Sequence, residues 1–157
     1  MGLYYQRAGE FEQALVHYKA AIQRDEMNIE AHNNLGSLYL GKGLLDEAAR
    51  EFQRVIAIEP RYTTAHVNLA ATLYRLGRFD AAAAQAREAL RIDPRSDDAL
   101  VNLALAQKAS GQLADAQGSL RRALEHYRLF LQYAGPEQEP YAHDVRARVQ
   151  ALQTRIR

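Results

Sequence analysis

The sequence predicts an all-α protein in which antiparallel helix pairs stack into a solenoid. The phrase NNLGSLYLGKG at residues 33–43 returns as VNLAATLYRLG at 67–77 and as VNLALAQKASG at 101–111, each copy 34 residues after the last. Within each copy, apolar and small residues fall three or four positions apart, which is the spacing of one helix face. A glycine closes every copy. A fixed period of this kind indicates a repeat architecture.

The first helix of each unit can be described by positions counted from Ile29, Thr63 and Asp97. The seventh position is apolar, the eighth is small and the fifteenth is glycine. Because glycine adopts the left-handed conformation without strain from a Cβ atom, it is the expected stop after about a dozen helical residues. The glycines that end the first helices are Gly9, Gly43, Gly77 and Gly111.

The second helix of each unit has an apolar residue at position seventeen and alanine at position twenty. It ends before Pro60 in one unit and before Pro94 in the next, because proline biases its predecessor away from the helical conformation. Asn28 and Ser96 then precede the following helices as N-caps. The small residues at positions eight, twenty and twenty-seven predict that the two helices of a pair approach closely.

The end of the chain departs from this period. The fourth unit lacks the proline, and its apolar stripe continues to about Ala134, which predicts an extended second helix. The segment AGPEQEP breaks that helix. A last amphipathic helix follows, and we expect its apolar face to cover the end of the solenoid while its arginines stay in solvent. The residues of that face are Val145, Val149, Leu152 and Ile156.

This pattern resembles the tetratricopeptide repeat (TPR), and in the second unit the matching residues are Leu35, Gly36, Tyr39, Gly43, Ala48, Phe52 and Pro60. The resemblance implies a right-handed solenoid in one domain, residues 1–157. That domain comprises a partial first repeat (1–28), three full repeats (29–62, 63–96 and 97–134, the last with the extended helix) and a loop with a capping helix (135–157). Position four departs from the family, where tryptophan is frequent, because it holds His32, His66 and Leu100.

Composition excludes several function classes. The chain has 157 residues and a net charge of +1, so no electrostatic excess favours nucleic acid. It has no cysteine, which excludes disulfides, thiolate metal sites and cysteine nucleophiles. No apolar run approaches the ~18 residues that span a bilayer, and we expect no membrane insertion. The sequence does not determine the cellular compartment, because a segment upstream of the partial first repeat would carry any targeting signal. A soluble cytoplasmic protein is favoured.

The sequence offers little chemistry for catalysis. None of the five histidines has the spacing and carboxylate partner of a helical metal site, and no glycine-rich phosphate loop occurs. We interpret His32 and His66, which are 34 residues apart, as packing residues. We therefore expect no enzyme activity, no metal and no cofactor.

The TPR resemblance also implies where a partner would bind, because in that family the first helices of stacked repeats line a concave groove. The groove residues that we assign on this basis are Arg7, Asn33, Asn34, Ser37, Asn68, Tyr74, Arg75, Asn102, Leu105 and Lys108.

Asparagine occupies position six in three successive units, at Asn34, Asn68 and Asn102. A side-chain amide both donates and accepts, so a row of amides can hold an extended peptide backbone without reading its side chains. The arrangement resembles the asparagine ladder in the TPR domain of protein O-linked N-acetylglucosamine transferases, which implies that these three residues are peptide-backbone ligands. The alternative is that the amides merely hydrogen-bond within the repeat and tolerate solvent.

The cations Arg7, Arg75 and Lys108 have two interpretations. They favour acidic ligands, or they are simply solvated charges at the groove rim. Chaperone-binding TPR domains hold dicarboxylates with a clamp that includes position nine. That clamp is absent here, since position nine is Leu3, Ser37, Ala71 and Leu105.

We therefore expect a non-catalytic protein–protein interaction module that takes an extended peptide, or a segment of a protein partner, along the groove. Two alternatives stay open. The chain is the recognition arm of a larger enzyme such as a glycosyltransferase, or it is a self-assembling scaffold. In the second case the uncapped N-terminal end, whose apolar surface is open, would form a homo-oligomer by stacking on another copy.

Overall fold

A computed structural model describes residues 2–111, 113–133 and 139–156, and within these ranges the chain forms nine α-helices and no strand. Consecutive helices pack as pairs, α1 with α2 through α7 with α8, and the pairs stack in chain order with α9 against α8. The all-α solenoid predicted from the 34-residue period is confirmed. The helices are α1 (Gly2–Arg7), α2 (Phe11–Arg24), α3 (Ile29–Lys42), α4 (Leu45–Ile58), α5 (Thr63–Arg75), α6 (Phe79–Ile92), α7 (Asp97–Ala109), α8 (Leu113–Tyr133) and α9 (Glu139–Ile156).

The helix ends form where the sequence places them. The four turn glycines have φ between 74° and 87°, and across Gly43 the Leu44 amide donates to the Tyr39 carbonyl at 2.9 Å, which satisfies a carbonyl at the end of α3. At the helix starts, the Asn28 Oδ1 accepts from the Ala31 amide at 2.8 Å. Ser96 caps α7 in the same way, so both predicted N-caps are confirmed.

At position eight the two helices of a pair approach closely. A Cβ atom built on Gly36 would lie 2.7 Å from the ring of Phe52, which is fully buried between α3 and α4. The same relation holds in the first pair, where a Cβ on Gly2 would lie 2.6 Å from the Tyr18 ring. The later pairs combine alanine with an aliphatic side chain in one core cluster: Ala70 with Ala86, and Ala104 with Leu120.

The last helix covers the C-terminal end of the stack. Val145 is fully buried in a cluster with Leu100 and Tyr127, and Val149 packs against the same cluster. The extended helix α8 is described as far as Tyr133, so the predicted end at Ala134 lies outside the described residues. The side chains of Leu152 and Ile156 also lie outside them.

One arginine of α9 also binds the neighbouring helices, although its side chain stays 40% exposed. The Arg148 Nη1 donates to the Asp98 Oδ1 at 2.6 Å and to the Tyr127 hydroxyl at 3.3 Å, and it thereby ties α9 to both α7 and α8. Burial raises the pKa of Tyr127 to about 12. The hydrogen bond with Tyr127 in turn raises the pKa of Arg148. Burial therefore keeps the phenol neutral, whereas Arg148 by itself lowers the pKa of Tyr127; the arginine contributes by holding the docked helix in place.

Replacing Gly36 by alanine tests the close approach at position eight. The added methyl group must displace the buried Phe52 ring, and overpacking of this kind costs roughly 1–3 kcal/mol of unfolding free energy. Gly41 is the matched control, because it lies in the same helix with no heavy atom within 4 Å of a built Cβ. There alanine should be neutral or stabilise by about 0.5–1 kcal/mol. Urea denaturation measures both, and equal effects would contradict the packing.

The Tyr127 hydroxyl predicts a pH dependence of stability at high pH. Its pKa is about 12 in the folded chain against about 10 when unfolded, so between these values the unfolded state releases a proton that the folded state keeps. The free energy of unfolding should therefore fall as pH rises through this window, by about 1–2 kcal/mol from this group. Urea denaturation at pH 9 and 11 checks this. Tyr127→Phe should lose less stability between the two pH values, and an equal loss would refute it.

Candidate functional site

The predicted groove residues all belong to the first helices of the pairs, which lie side by side as α3 next to α5 and α5 next to α7. Five polar side chains on this face take part in hydrogen bonds between neighbouring helices or along one helix. Arg7 lies in α1, and its side chain is outside the described residues. The structure therefore places the assigned residues on one run of helices and connects several of them directly.

Two of the three position-six amides reach back to the preceding first helix. Asn68 donates its Nδ2 to the Asn33 Oδ1 at 3.3 Å, and Asn102 donates its Nδ2 to the Val67 carbonyl at 3.0 Å. Each bond joins residues 35 apart in sequence, so each spans two neighbouring repeats. These amides thus connect adjacent first helices, whereas the alternative left open from the sequence was bonding within one repeat.

Arg75 makes the same kind of connection further along the helix. Its Nη1 donates to the Leu40 carbonyl at 2.7 Å, again across 35 residues, although the guanidinium is otherwise exposed. Sequence reasoning treated Arg75 as a groove charge and missed this bond to the end of α3. The signal that could have found it is the separation of one period plus one residue, which all three inter-helix bonds share.

Ser37 and Tyr74 are turned to local partners. The Ser37 Oγ donates to the Asn33 carbonyl one turn earlier in α3 at 2.9 Å. The Tyr74 ring lies against Phe79 with its centroid 5.5 Å away. Leu105 is half-buried and Lys108 is exposed. These four residues therefore offer a ligand apolar surface and one cation, and not a row of free hydrogen-bond donors.

Hydrogen-bonding capacity nevertheless remains on the amides. Asn68 and Asn102 are half-exposed, and each uses only one N–H, which leaves the other N–H and the Oδ1 for a ligand. Asn34 is also half-exposed, and it makes no hydrogen bond with any residue in the part of the chain that the structure describes. The face can therefore both donate to and accept from a peptide backbone.

The two repeat histidines lie between the helices of their own pairs. Both are buried: the His32 Nδ1 lies 2.7 Å from the Glu51 Oε2, and the His66 Nδ1 lies 2.8 Å from the Gln85 Oε1. Their Nε2 atoms contact backbone carbonyls. Among the described residues no three histidine, aspartate or glutamate side chains gather as a metal site, and no described helix combines the length and apolar character that crossing a bilayer requires.

Asparagine replacements at equivalent positions separate the internal role of the amides from an external one. Asn102→Ala removes the bond to the Val67 carbonyl and should lower the free energy of unfolding by about 1 kcal/mol. Asn34→Ala breaks no bond among the described residues, and it should leave stability unchanged within about 0.5 kcal/mol. Thermal and urea denaturation compare the two variants. Equal losses would mean that the bond to Val67 contributes nothing to the stack.

Comparison with known proteins identifies the repeat. A model of the TPR repeat matches residues 2–43, and two models of the tetratricopeptide repeat match residues 45–97 and 73–135. No curated protein gives a significant match.

Solved structures share the fold. A structure of MamA protein is 25% identical, with a TM-score of 0.75 over 85% of this chain and 73% of that one. The MamA 41-end structure from Desulfovibrio magneticus RS-1 is 18% identical, with a TM-score of 0.74 over 98% and 91%. TTC0263, a thermophilic TPR protein in Thermus thermophilus, is 21% identical, with a TM-score of 0.69 over 98% and 95%. With the stacked helix pairs, turn glycines and matching repeat models in place, the chain belongs to the tetratricopeptide repeat family.

Proposed function

We propose that this protein is a non-catalytic protein–protein interaction module that binds an extended peptide along the groove formed by its first helices. The proposal is supported by the TPR family of the chain, whose repeats serve as interaction scaffolds. The single observation that carries it is the row of half-exposed amides at Asn34, Asn68 and Asn102, which keep unused donors and acceptors.

The spacing of the amides suits a main chain better than a single side chain. Each amide belongs to a successive repeat, and the bonds that tie Asn68 and Asn102 to the preceding helix fix the distance from one amide to the next. A ligand gains affinity from such a preorganised row only if the spacing of its own hydrogen-bonding groups matches the spacing of the amides. An extended peptide offers alternating N–H and C=O groups at regular intervals, so it can satisfy such a row with little dependence on its side chains.

A peptide display library tests this function even though the partner is unidentified. Peptides selected on the native chain should bind the triple variant Asn34→Ala, Asn68→Ala and Asn102→Ala about a hundredfold more weakly. Each amide contributes about 1 kcal/mol, and 1.4 kcal/mol corresponds to a factor of ten. The matched control removes three amides from exposed positions on the second helices and α9, with Gln23→Ala, Gln53→Ala and Gln150→Ala. Undiminished binding to the asparagine triple variant would refute the proposal.

Asn34→Ala alone separates lost ligand contacts from a loosened stack. Because Asn34 makes no bond among the described residues, its replacement should weaken the selected peptides about fivefold while the melting temperature stays constant. Isothermal titration with the same peptides measures this. If only the variants at Asn68 and Asn102 weaken binding, the amides act by spacing the helices and not as ligands.

A further inference from the structure

The outer surface of the second helices α4, α6 and α8 carries charge of one sign. Positions twenty-four and twenty-seven of each repeat are buried against the paired first helix, so positions twenty-two, twenty-five and twenty-nine face outward. Beyond the first turn of these helices, Glu125 is the single carboxylate among the charged side chains that the structure describes as exposed. All the others are arginines, and we call the surface that they form the arginine face.

Most of these arginines have no anion of the same chain beside them. On the arginine face, Arg50 lies 3.7 Å from Glu47 and Arg91 lies 2.6 Å from Glu88. The remaining arginines make no ion pair or hydrogen bond with any residue in the described ranges, and they are distributed over all three helices. These unpaired residues are Arg54, Arg87, Arg121, Arg122 and Arg128.

The arrangement differs from that of an ordinary solvated helix face. Such a face mixes the two signs and gains support from a carboxylate four residues before a cation. On α6, Arg87 and Arg91 stand four residues apart instead, which is a repulsive spacing, and the same spacing occurs on α4. None of the unpaired arginines follows a carboxylate at that distance, because the residues four positions earlier are Arg50, Ala83, Gln117, Gly118 and Leu124.

The helix dipole does not explain the position of these cations either. It favours positive side chains within the last turn of a helix. Arg87 lies in the middle of α6 (Phe79–Ile92), and Arg121 lies in the middle of α8 (Leu113–Tyr133). The arginine face therefore carries positive charge that neither the carboxylates nor the helix ends of the described chain compensate.

Small side chains lie between the arginines. Ala57, Ala84 and Gly118 are all exposed on the outer surface, and a Cβ atom built on Gly118 would meet no heavy atom within 4 Å. An extended polypeptide can therefore approach the backbone of these helices closely, while the longer arginine side chains reach its carboxylates. A guanidinium group binds a carboxylate through two parallel hydrogen bonds, which an ammonium group does not.

The arginine face does not have the side chains that other anionic partners require. No large apolar or aromatic side chain is exposed on α4, α6 or the described part of α8. Helices that lie on a membrane surface insert such side chains among the lipids. Proteins that hold single-stranded nucleic acid stack its bases on aromatic rings. Of these anionic partners, the composition of the surface favours an acidic polypeptide.

We propose that the arginine face binds an acidic, extended segment of a partner protein. The carboxylates of the segment pair with Arg54, Arg87 and Arg121, which are contributed by three successive second helices. This surface lies on the second helices, whereas the row of amides belongs to the first helices. The inference therefore goes beyond the peptide-binding function proposed above.

A fluorescein-labelled peptide of alternating glutamate and serine tests the proposal by fluorescence anisotropy. It should bind the native chain, and its affinity should fall as salt is added, because ions screen exposed charge pairs. The variant Arg54→Gln, Arg87→Gln and Arg121→Gln, the face variant, should bind about tenfold more weakly. A peptide of alternating glutamine and serine should not bind. Failure of the acidic peptide to bind, or unchanged affinity in the face variant, would overturn the proposal.

The matched control removes the same charge elsewhere. Arg61→Gln, Arg95→Gln and Lys108→Gln change three exposed cations outside the arginine face, and this variant should bind like the native chain. Equal weakening in both triple variants would mean that the peptide responds to net charge alone, which contradicts a defined surface. The face variant should keep or raise the melting temperature, because the loss of Arg87 relieves its repulsion with Arg91. Weaker binding then does not result from unfolding.

Crosslinking locates the peptide, since the chain has no cysteine of its own. A chloroacetyl group on the acidic peptide should react with Ala84→Cys, on the arginine face, faster than with Ala109→Cys, which is exposed on α7. Equal rates at the two cysteines would overturn the assigned location.

Other occupants give different results. Vesicles that contain phosphatidylserine and a DNA duplex should each bind the native chain more weakly than the acidic peptide does at the same salt concentration. Tighter binding of either one, lost in the face variant, would identify a phosphate-binding surface and overturn the acidic partner. Self-association in sedimentation that disappears in the face variant would identify a second copy as the occupant, with the same consequence.

The arginine face and the row of amides fail independently. The variant Asn34→Ala, Asn68→Ala and Asn102→Ala should bind the acidic peptide like the native chain, whereas it should lose the display-selected peptides. Loss of the acidic peptide in that variant would place this peptide among the amides and overturn the arginine face, and the peptide-binding function would stand.

Discussion

The structure depends on the close approach of two helices at one small residue in every repeat. In the second pair the absence of a side chain on Gly36 makes room for the buried Phe52 ring, and in the first pair Gly2 does the same for Tyr18. Where position eight is Ala70, the residue one period after Phe52 is the smaller Ala86, and both belong to one core cluster. Close packing leaves no free volume for both residues to be large. The size of the residue at position eight therefore sets how deeply the second helix can pack.

Polar side chains complete the stack on the opposite side of the first helices. Apolar packing brings neighbouring repeats together, and Asn68, Asn102 and Arg75 each bond back across 35 residues to the preceding first helix. Such bonds are directional, so they fix the offset between repeats more tightly than apolar contacts do. Because these groups are not saturated by their internal bonds, one set of amides can space the helices and still face a ligand.

The C-terminal end of the stack is held by both apolar and polar contacts. At the C-terminal end Val145 is fully buried, and Arg148 connects α9 to Asp98 and Tyr127, so the last pair is covered by a helix of the same chain. Neighbouring repeats stabilise one another in such an array, so these contacts support the last repeat.

The sequence by itself determined the helix pairs, because the spacing of apolar residues, the turn glycines and the caps at Asn28 and Ser96 act through local chemistry. It also located the row of amides, since residues one period apart occupy equivalent places in successive repeats. Only the tertiary structure decided that Asn68 bonds to Asn33, that Phe52 faces Gly36 and that Arg148 crosses to Asp98. Those contacts join residues 16 to 50 positions apart in the chain, and their geometry follows from how the helices stack, which no local pattern encodes.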